Sequence, residues 1–352
     1  MREKVLVAMS GGVDSTVAAL LLKEKGYEVL GATLITNGNT LNNSQWLIET
    51  NNRICNYLKI PLEIFDVREL FRKTVIDEFV RNYLLGMTPN PCISCNRLIK
   101  FEFLLSKAKE LGATKIATGH YAQNIYDTQR KIWLLKKGVD IQKDQSYFLY
   151  TLNQNLLPHI LFPLGDLTKA EVKKVAQKAG LSELVRPESQ DICFILGGDY
   201  IKFIKEYVSY SPQPGPIRNR NDEVIGQHKG IIYYTIGQRK RIGVANKTPL
   251  YVTKIDYSNN TIYVGEAHEV YNKSFLVSNL SFVYLNKLES PLWVSTKIRY
   301  THIPARAQII PQNDEVMVVF DEPQWAITPG QAAVFYDQDI VIGGGIIKKL
   351  FS

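Results

Sequence analysis

The sequence predicts an α/β chain: an amino-terminal domain on a parallel sheet with helices on both faces, a small central domain, and a carboxy-terminal domain of β-barrel type. Three observations carry this reading. Strand-like and helix-like segments alternate through the first half, the pattern of a parallel sheet covered on both sides. A glycine-rich turn, Ser10-Gly11-Gly12-Val13-Asp14-Ser15, joins the first strand to the first helix. After about Tyr200 the pattern changes to short alternating runs broken by turn residues, as in a small barrel or sandwich.

The elements follow in order. "KVLVAM" is a short apolar run and reads as the first strand. "DSTVAALLLKEKG" reads as a helix closed by lysines and Gly26. "YEVLGATLI" is a second strand, "NRICNYLKI" is helical, and "PLEIFDV" is a third strand. "VRELFRKTVIDEFVRNYLLG" is a long amphipathic helix ending near Gly86. "TPNPCISCNR" reads as a proline-interrupted loop, followed by the helix "IKFEFLLSKAKELG" and the strand "TKIATGH". "TKAEVKKVAQKAG" opens with Thr168 as N-cap and Glu171 three residues on, a capping box. "SPQPGPIRN", with three prolines and a glycine, marks a boundary. Beyond it, "LYVTKIDYSNNTIYVGEA" predicts a hairpin turning at Asn259-Asn260, and four further runs predict strands. The expected domains are 1–200, 201–272 and 273–352.

Composition bounds the classes. The 352 residues, 45% of them hydrophobic, suffice for two or three cores. Charged residues at 22% exclude wholesale disorder. No apolar run approaches the ~20 residues that span a bilayer, and "MREKVLVAMSGG" reads as a strand, not an export signal. Four cysteines without an export signal then point to a reducing cytosol and thiols kept for chemistry. The net charge of +8 fits either a solvated basic surface or a polyanionic partner such as RNA or DNA.

The turn at Ser10–Ser15 has the residues of a phosphate cradle. Its glycines let backbone amides approach an anion, the helix N-terminus adds partial positive charge, and Ser10, Ser15 and Thr16 offer hydroxyls. It lacks the Lys-Ser/Thr ending of a Walker A loop. A grip on the β,γ-pyrophosphate, with the α-phosphate left open to attack, fits it better than γ-phosphate transfer. The pattern resembles the PP-loop ATP pyrophosphatases, within the adenine nucleotide α-hydrolase-like fold.

Two cysteines, Cys92 and Cys95, form a C-x-x-C in "TPNPCISCNRLIKF". Half a zinc site, a redox couple and a single reactive thiol are the readings open to such a pair. A four-cysteine zinc site would need a second C-x-x-C, which the chain lacks. Cys193, in "ESQDICFI", taken alone reads as a small buried hydrophobe, and Cys55 as core.

Read together, "SGGVDS", "TPNPCISCNRLIKF", "ATGHYA", "KDQSYFLY", "ESQDICFI", "GQHKGIIYYTIGQRKRIG" and "ITPGQAAVFY" with "GGGII" resemble, in that order, the tRNA-uridine 2-sulfurtransferases (tRNA-specific 2-thiouridylases). The resemblance covers nearly the whole chain. It implies an enzyme that adenylates the C2 oxygen of the wobble uridine in tRNA with ATP, Mg²⁺ accompanying it, and replaces that oxygen with sulfur. It implies ATP contacts at Ala8, Met9, Ser10, Gly11, Gly12, Val13, Asp14, Ser15, Leu34 and Gly119. It makes Cys193 the carrier of a persulfide, filled by a cysteine desulfurase or relay protein, and Cys95 the thiol that expels the sulfur and leaves a Cys95–Cys193 disulfide. Asn90, Pro91 and Cys92 fall where the family contacts the target base, and the family has Asp where this chain has Cys92. His120, Lys143, Asp144, Gln145, Arg299, Tyr300 and Gln331 fall at tRNA contacts. Arg239, Lys240 and Arg241, beside Tyr233 and Tyr234, add cations for phosphates and rings for bases. The family carries acidic residues where this chain reads "TNGNTLNNSQW", so no metal ligand is expected there.

The third cysteine admits a second mechanism, in which Cys92, Cys95 and Cys193 hold a [4Fe–4S] cluster with one iron free for sulfide. Two other classes compete with tRNA thiolation: a PP-loop ligase acting on a small molecule, and a non-catalytic RNA-binding module. ATP–pyrophosphate exchange that depends on tRNA separates all three.

Overall fold

The computed structural model describes residues 2–36, 41–185 and 192–351. Parts of "TNGNTLNNSQW" and of "ESQDICFI" lie outside the described residues. The first strands are β1 (Lys4–Ala8), β2 (Glu28–Ile35) and β3 (Leu62–Asp66), linked by the helices α1 (Val13–Glu24) and α2 (Leu41–Leu58). Val5, Leu6 and Val7 are all fully buried. A strand covered on both faces has no polar side, so β1 reads as a continuous apolar run. Next come β4 (Lys115–Ala117), a hairpin of β5 (Ala122–Asp127) and β6 (Ile132–Lys137), and the short β7 (Ile160–Leu161). The parallel sheet runs β3-β2-β1-β4-β7. Its order reverses between β1 and β4, which opens a crevice at the carboxyl ends of those two strands. The helix Lys169–Lys178 carries the expected Thr168–Glu171 capping box.

The central part is a four-stranded sheet of β8 (Gly215–Arg218), β9 (Val224–His228), β10 (Tyr251–Asp256) and β11 (Thr261–Gly265), ordered β10-β11-β8-β9. Asp256 faces Thr261 across the predicted turn, with Asn260 left-handed at φ +44°. The carboxy-terminal strands are β12 (Tyr271–Phe282), β13 (Leu292–Lys297), β14 (Ala305–Gln312), β15 (Glu315–Trp325), β16 (Ala332–Asp337) and β17 (Ile340–Phe351). They run β12-β15-β14-β13-β16-β17, and β12 also pairs with β17, closing a six-stranded antiparallel barrel. Closure leaves no free sheet edge among the six.

Two features depart from the sequence expectation. The β5–β6 hairpin joins the barrel sheet, Lys136 pairing with Ile340 of β17. A single core holds Leu6, Phe101, Tyr147 and Tyr150 together with Val283, Ala332 and Tyr336. A second core joins Phe71, Phe79 and Cys95 to Phe194, Ile204, Ile217 and Val252. The expected domains therefore share hydrophobic interiors. The other departure is the C-x-x-C segment, which is helical: an α-turn Pro91–Ser94, a π-helical stretch Cys95–Phe103, then α-helix Leu104–Glu110. Proline suits the first helical position, where its missing N–H is not needed. The Asn90 Oδ1 accepts from the Cys92 N–H at 3.1 Å and caps the turn. The residues that look like loop punctuation are the start signal of a helix.

Candidate active site

The crevice is lined on one side by the turn from β1 to α1. Gly11 has φ +75°, a conformation glycine adopts without strain. Gly12 is the N-cap of α1 and supplies no side-chain cap, so the amides of the first turn face outward for an anion. The hydroxyls behave differently from expectation. Ser15 Oγ donates to Gly12 O at 3.1 Å and accepts from Ser10 N–H at 3.1 Å, while Ser10 Oγ lies 3.1 Å from Ser15 Oγ. Thr16 Oγ1 donates to Gly12 O at 2.9 Å. These side chains lock the turn, and the backbone presents the donors.

Neighbouring elements hold the turn from three directions. Gly119, just past β4, packs directly on α1: a Cβ there would lie 2.8 Å from Asp14 C and Ser15 N. Asn51 of α2, fully buried, donates from Nδ2 to Met9 O at 3.0 Å and to Thr33 Oγ1 at 2.7 Å. The Asp14 carboxylate accepts from Lys169 Nζ at 2.7 and 2.8 Å and from Tyr121 OH at 2.7 Å. Met9 is buried behind the turn, Ala8 and Val13 are partly buried, and Leu34 lies partly buried at the end of β2 against both shared cores.

Cys95 and Cys193, the expected sulfur-transfer thiols, and Cys92, expected at the target base, all lie within the influence of Lys100. Cys95 is buried in the core that also holds Phe194 and Ile195, whereas Cys92 and Cys193 reach solvent, and all four cysteines are free. Desolvation by the surrounding protein pushes the Cys193 thiol up to about 11, with Cys95 adding to the rise. It also raises Cys95 and Cys92. In all three cases the Lys100 ammonium pulls the other way. Lys100 thus bears on all three thiols. The π-helix explains Lys100: its i→i+5 bonding puts Lys100 one turn beyond Cys95, where an α-helix would rotate it away. Cys55 stands apart, buried in the core behind α2, its thiol pushed up to about 11 by burial alone.

His120 is buried beside the same cation. Its Nδ1 lies 2.7 Å from Thr118 Oγ1, and its ring packs against Phe101 and Phe162. Burial, then Lys100, hold it well below its usual value, so it is neutral. Among the described residues, no group of three or more His, Cys, Asp or Glu side chains is gathered to hold a metal ion. Cys92, Cys95 and Cys193 are therefore not drawn together as a cluster ligand set among the described residues.

Comparison with known proteins places this geometry in a family. Three protein-family models match in succession: one described as tRNA methyl transferase HUP domain over residues 3–197, one as tRNA methyl transferase PRC-barrel domain over 201–266, and one as aminomethyltransferase beta-barrel domain over 272–347. The tRNA-specific 2-thiouridylase MnmA of Acetivibrio thermocellus is 46% identical over 357 residues, covering 99% of each chain. MnmA 1 of Caldanaerobacter subterraneus is 47% identical over 99% of each chain, and MnmA of Halothermothrix orenii 44% over 99% of this chain and all of that one. This chain belongs to the tRNA-specific 2-thiouridylase family.

The residues expected to face tRNA in this thiouridylase chain occupy two kinds of place. Arg239, Lys240 and Arg241 are exposed, and Tyr233 is partly so, but Tyr234 is core and its ring is not open to a base. The others turn inward. Asp144 is buried, accepting from Gly138 N–H, Ser146 N–H and Ser146 Oγ at 3.2, 3.1 and 2.9 Å, and desolvation raises its carboxyl. Gln145 Oε1 accepts from Tyr121 N–H at 3.0 Å, and Lys143, just before Asp144, is partly buried. Arg299 donates to Trp325 O at 3.0 Å, and the Tyr300 ring packs 4.6 Å from Phe148. Gln331 Nε2 donates to Thr88 O at 2.8 Å.

Sequence reasoning missed Lys100, Lys169, Tyr121 and Asn51. Lys100 carried no sequence signal, since ordinary helical spacing turns a residue five positions on away from Cys95 and only the π-helix aligns the two. Nothing local ties Lys169 to Asp14, 155 positions away.

Proposed function

We propose that this chain replaces the C2 oxygen of the wobble uridine in tRNA with sulfur, using ATP as co-substrate, in a reducing cytosol. One observation carries the reading: Cys95 and Cys193, remote in sequence, both come under the Lys100 ammonium, as does His120, which directly follows the Gly119 that packs on the glycine turn at the sheet's switch point.

The turn Ser10–Ser15, with Ala8, Met9, Leu34 and Gly119, receives ATP, and Mg²⁺ rides on its phosphates. The uridine O2 attacks the α-phosphorus and pyrophosphate leaves, which turns a poor leaving group into AMP. The terminal sulfur of a Cys193 persulfide, supplied by a cysteine desulfurase or relay protein, then attacks C2, and AMP departs with the former oxygen. The Cys95 thiolate attacks Cys193 Sγ. The old S–S bond breaks, its electron pair stays on the sulfur now bound to C2, and a Cys95–Cys193 disulfide remains for a cellular thiol to reduce. Lys100 stabilises each thiolate in turn. Asn90, Pro91 and Cys92 meet the target base. His120, being neutral, offers a hydrogen bond there rather than a charge. Lys143, Asp144, Gln145, Arg299, Tyr300 and Gln331 shape the tRNA surface. The catalytic unit is 1–200, the central unit 201–272 and the barrel 273–352.

The test is nucleoside mass spectrometry of unmodified tRNA incubated with ATP and a persulfide donor. The expected product is 2-thiouridine with AMP and pyrophosphate in equal amounts. Cys193→Ser should abolish thiolation while tRNA-dependent ATP–pyrophosphate exchange persists. A methylated nucleoside, as the family-model descriptions would suggest, or exchange indifferent to tRNA, would refute the reading.

A further inference from the structure

The link between the helix Asp77–Leu84 and the thiol-bearing helix is short: Leu85, Gly86, Met87, Thr88, Pro89 and the cap Asn90. It is gripped from outside its own domain. Gly86 abuts the central sheet so closely that a Cβ would lie 2.8 Å from Ile255 Cγ2. Thr88 is held by the barrel on both backbone groups. Its N–H donates to Pro329 O at 2.9 Å, and its carbonyl accepts from Gln331 Nε2 at 2.8 Å. Its Oγ1 lies 3.5 Å from Thr235 Oγ1 of the central part. Gly330 is left-handed at φ +92°, and a Cβ there would meet Thr88 N at 2.8 Å and Met87 Cβ at 2.9 Å. The strap is itself tied to β17, Gly330 N–H donating to Ile347 O and Ile347 N–H to Gln331 O, both at 2.9 Å.

We propose that the strap Pro329–Gln331 is a positioning element for sulfur transfer: by clamping Thr88 it fixes where Asn90 starts the helix, and so where Cys92 and Cys95 stand relative to Cys193. The barrel then contributes to chemistry as well as to substrate holding. Only Pro89 separates Thr88 from the cap Asn90 that sets the first turn, so a shift at Thr88 moves the thiols almost undiminished. A helix transmits displacement along its axis because its backbone bonds leave few soft degrees of freedom. Gln331, expected at a tRNA contact, has a second use under this reading, since its amide donates to Thr88 O. The proposal rests on the sulfur-transfer reading above for its activity arm only.

The experiment uses the full chain with Gly330→Ala, which pushes on Thr88 without removing any side-chain contact to RNA, and Gln331→Glu, which keeps the shape but replaces the donor to Thr88 O by a carboxylate. Two quantities are read: single-turnover thiolation at saturating tRNA and ATP, and the iodoacetamide reactivity of Cys92 and Cys95 without tRNA or ATP, mapped by mass spectrometry. Expected are a rate lowered by about a hundredfold, the loss that follows about 1 Å of misplacement of a reacting group, tRNA affinity for Gly330→Ala within about twofold of wild type by this reasoning, and an altered Cys92-to-Cys95 labelling ratio. Weakened tRNA binding with an unchanged saturated rate and unchanged labelling would overturn the proposal. If Gly330→Ala does not fold by circular dichroism, Gln331→Glu decides by the same two readings. Should wild type itself not thiolate, the function reading fails, while the labelling ratio still judges the clamp.

Discussion

At the scale of single residues, electrostatics around Lys100 decides reactivity. Cys193 rests as a thiol because desolvation outweighs the pull of Lys100. Below its value of about 11 its alkylation rate should climb about tenfold per pH unit. Lys100→Met should slow it further at pH 8 by removing the pull that favours the thiolate; equal rates in the two proteins would remove Lys100 from the site. His120 makes the opposite kind of prediction. Its folded-state value lies well below 6.5, so the unfolded chain takes up a proton there that the folded chain refuses. Stability from this residue is complete above 6.5 and is lost as pH falls below it. His120→Gln should flatten that acid-side fall, seen as a smaller shift of the urea midpoint between pH 7.5 and pH 5.5. An unchanged shift would mean the histidine is already solvated.

At the scale of elements, the phosphate turn depends on a helix remote from it. The capping box of Lys169–Lys178 sets the first turn from which Lys169 reaches Asp14. Thr168→Ala should cost about 0.5–2 kcal/mol by loss of the cap and raise the KM for ATP in pyrophosphate exchange. Lys169→Met should raise that KM more while leaving the cap intact. Equal KM values in wild type and Lys169→Met would reduce the ion pair to a structural tie. The strand, turn and helix of the phosphate loop were legible in sequence because each signal lies within a few neighbouring residues. The thiol helix was misread because Pro89 and Pro91 are turn residues in isolation and helix-openers when an Asn cap precedes the second of them.

At the scale of the molecule, three matched domains are not three independent cores. Tyr147 donates to Ala332 O at 3.0 Å, and Tyr150, Phe101 and Tyr336 share one interior. Cutting the chain after residue 200 would bare that interior and the face holding Cys95. Each large apolar side chain so exposed forfeits about 1.5–3 kcal/mol. The fragment 1–200 should therefore lack near-ultraviolet dichroism and a cooperative melt, and co-expression with 201–352 should restore both. A cooperative melt of 1–200 alone would show that the shared cores are dispensable.

The sequence by itself determined the phosphate turn, the capping box, the alternation that makes a parallel sheet, and the change to short strands. Each depends on contacts between residues close along the chain, where propensity and periodicity act directly. Only the tertiary structure decided that Lys100 bears on Cys92, Cys95 and Cys193, that Asp14 is held by Lys169, and that Thr88 is clamped by a loop of the barrel. Those pairings join positions far apart in the chain, and desolvation and charge at such a junction exist only once packing has excluded water from it.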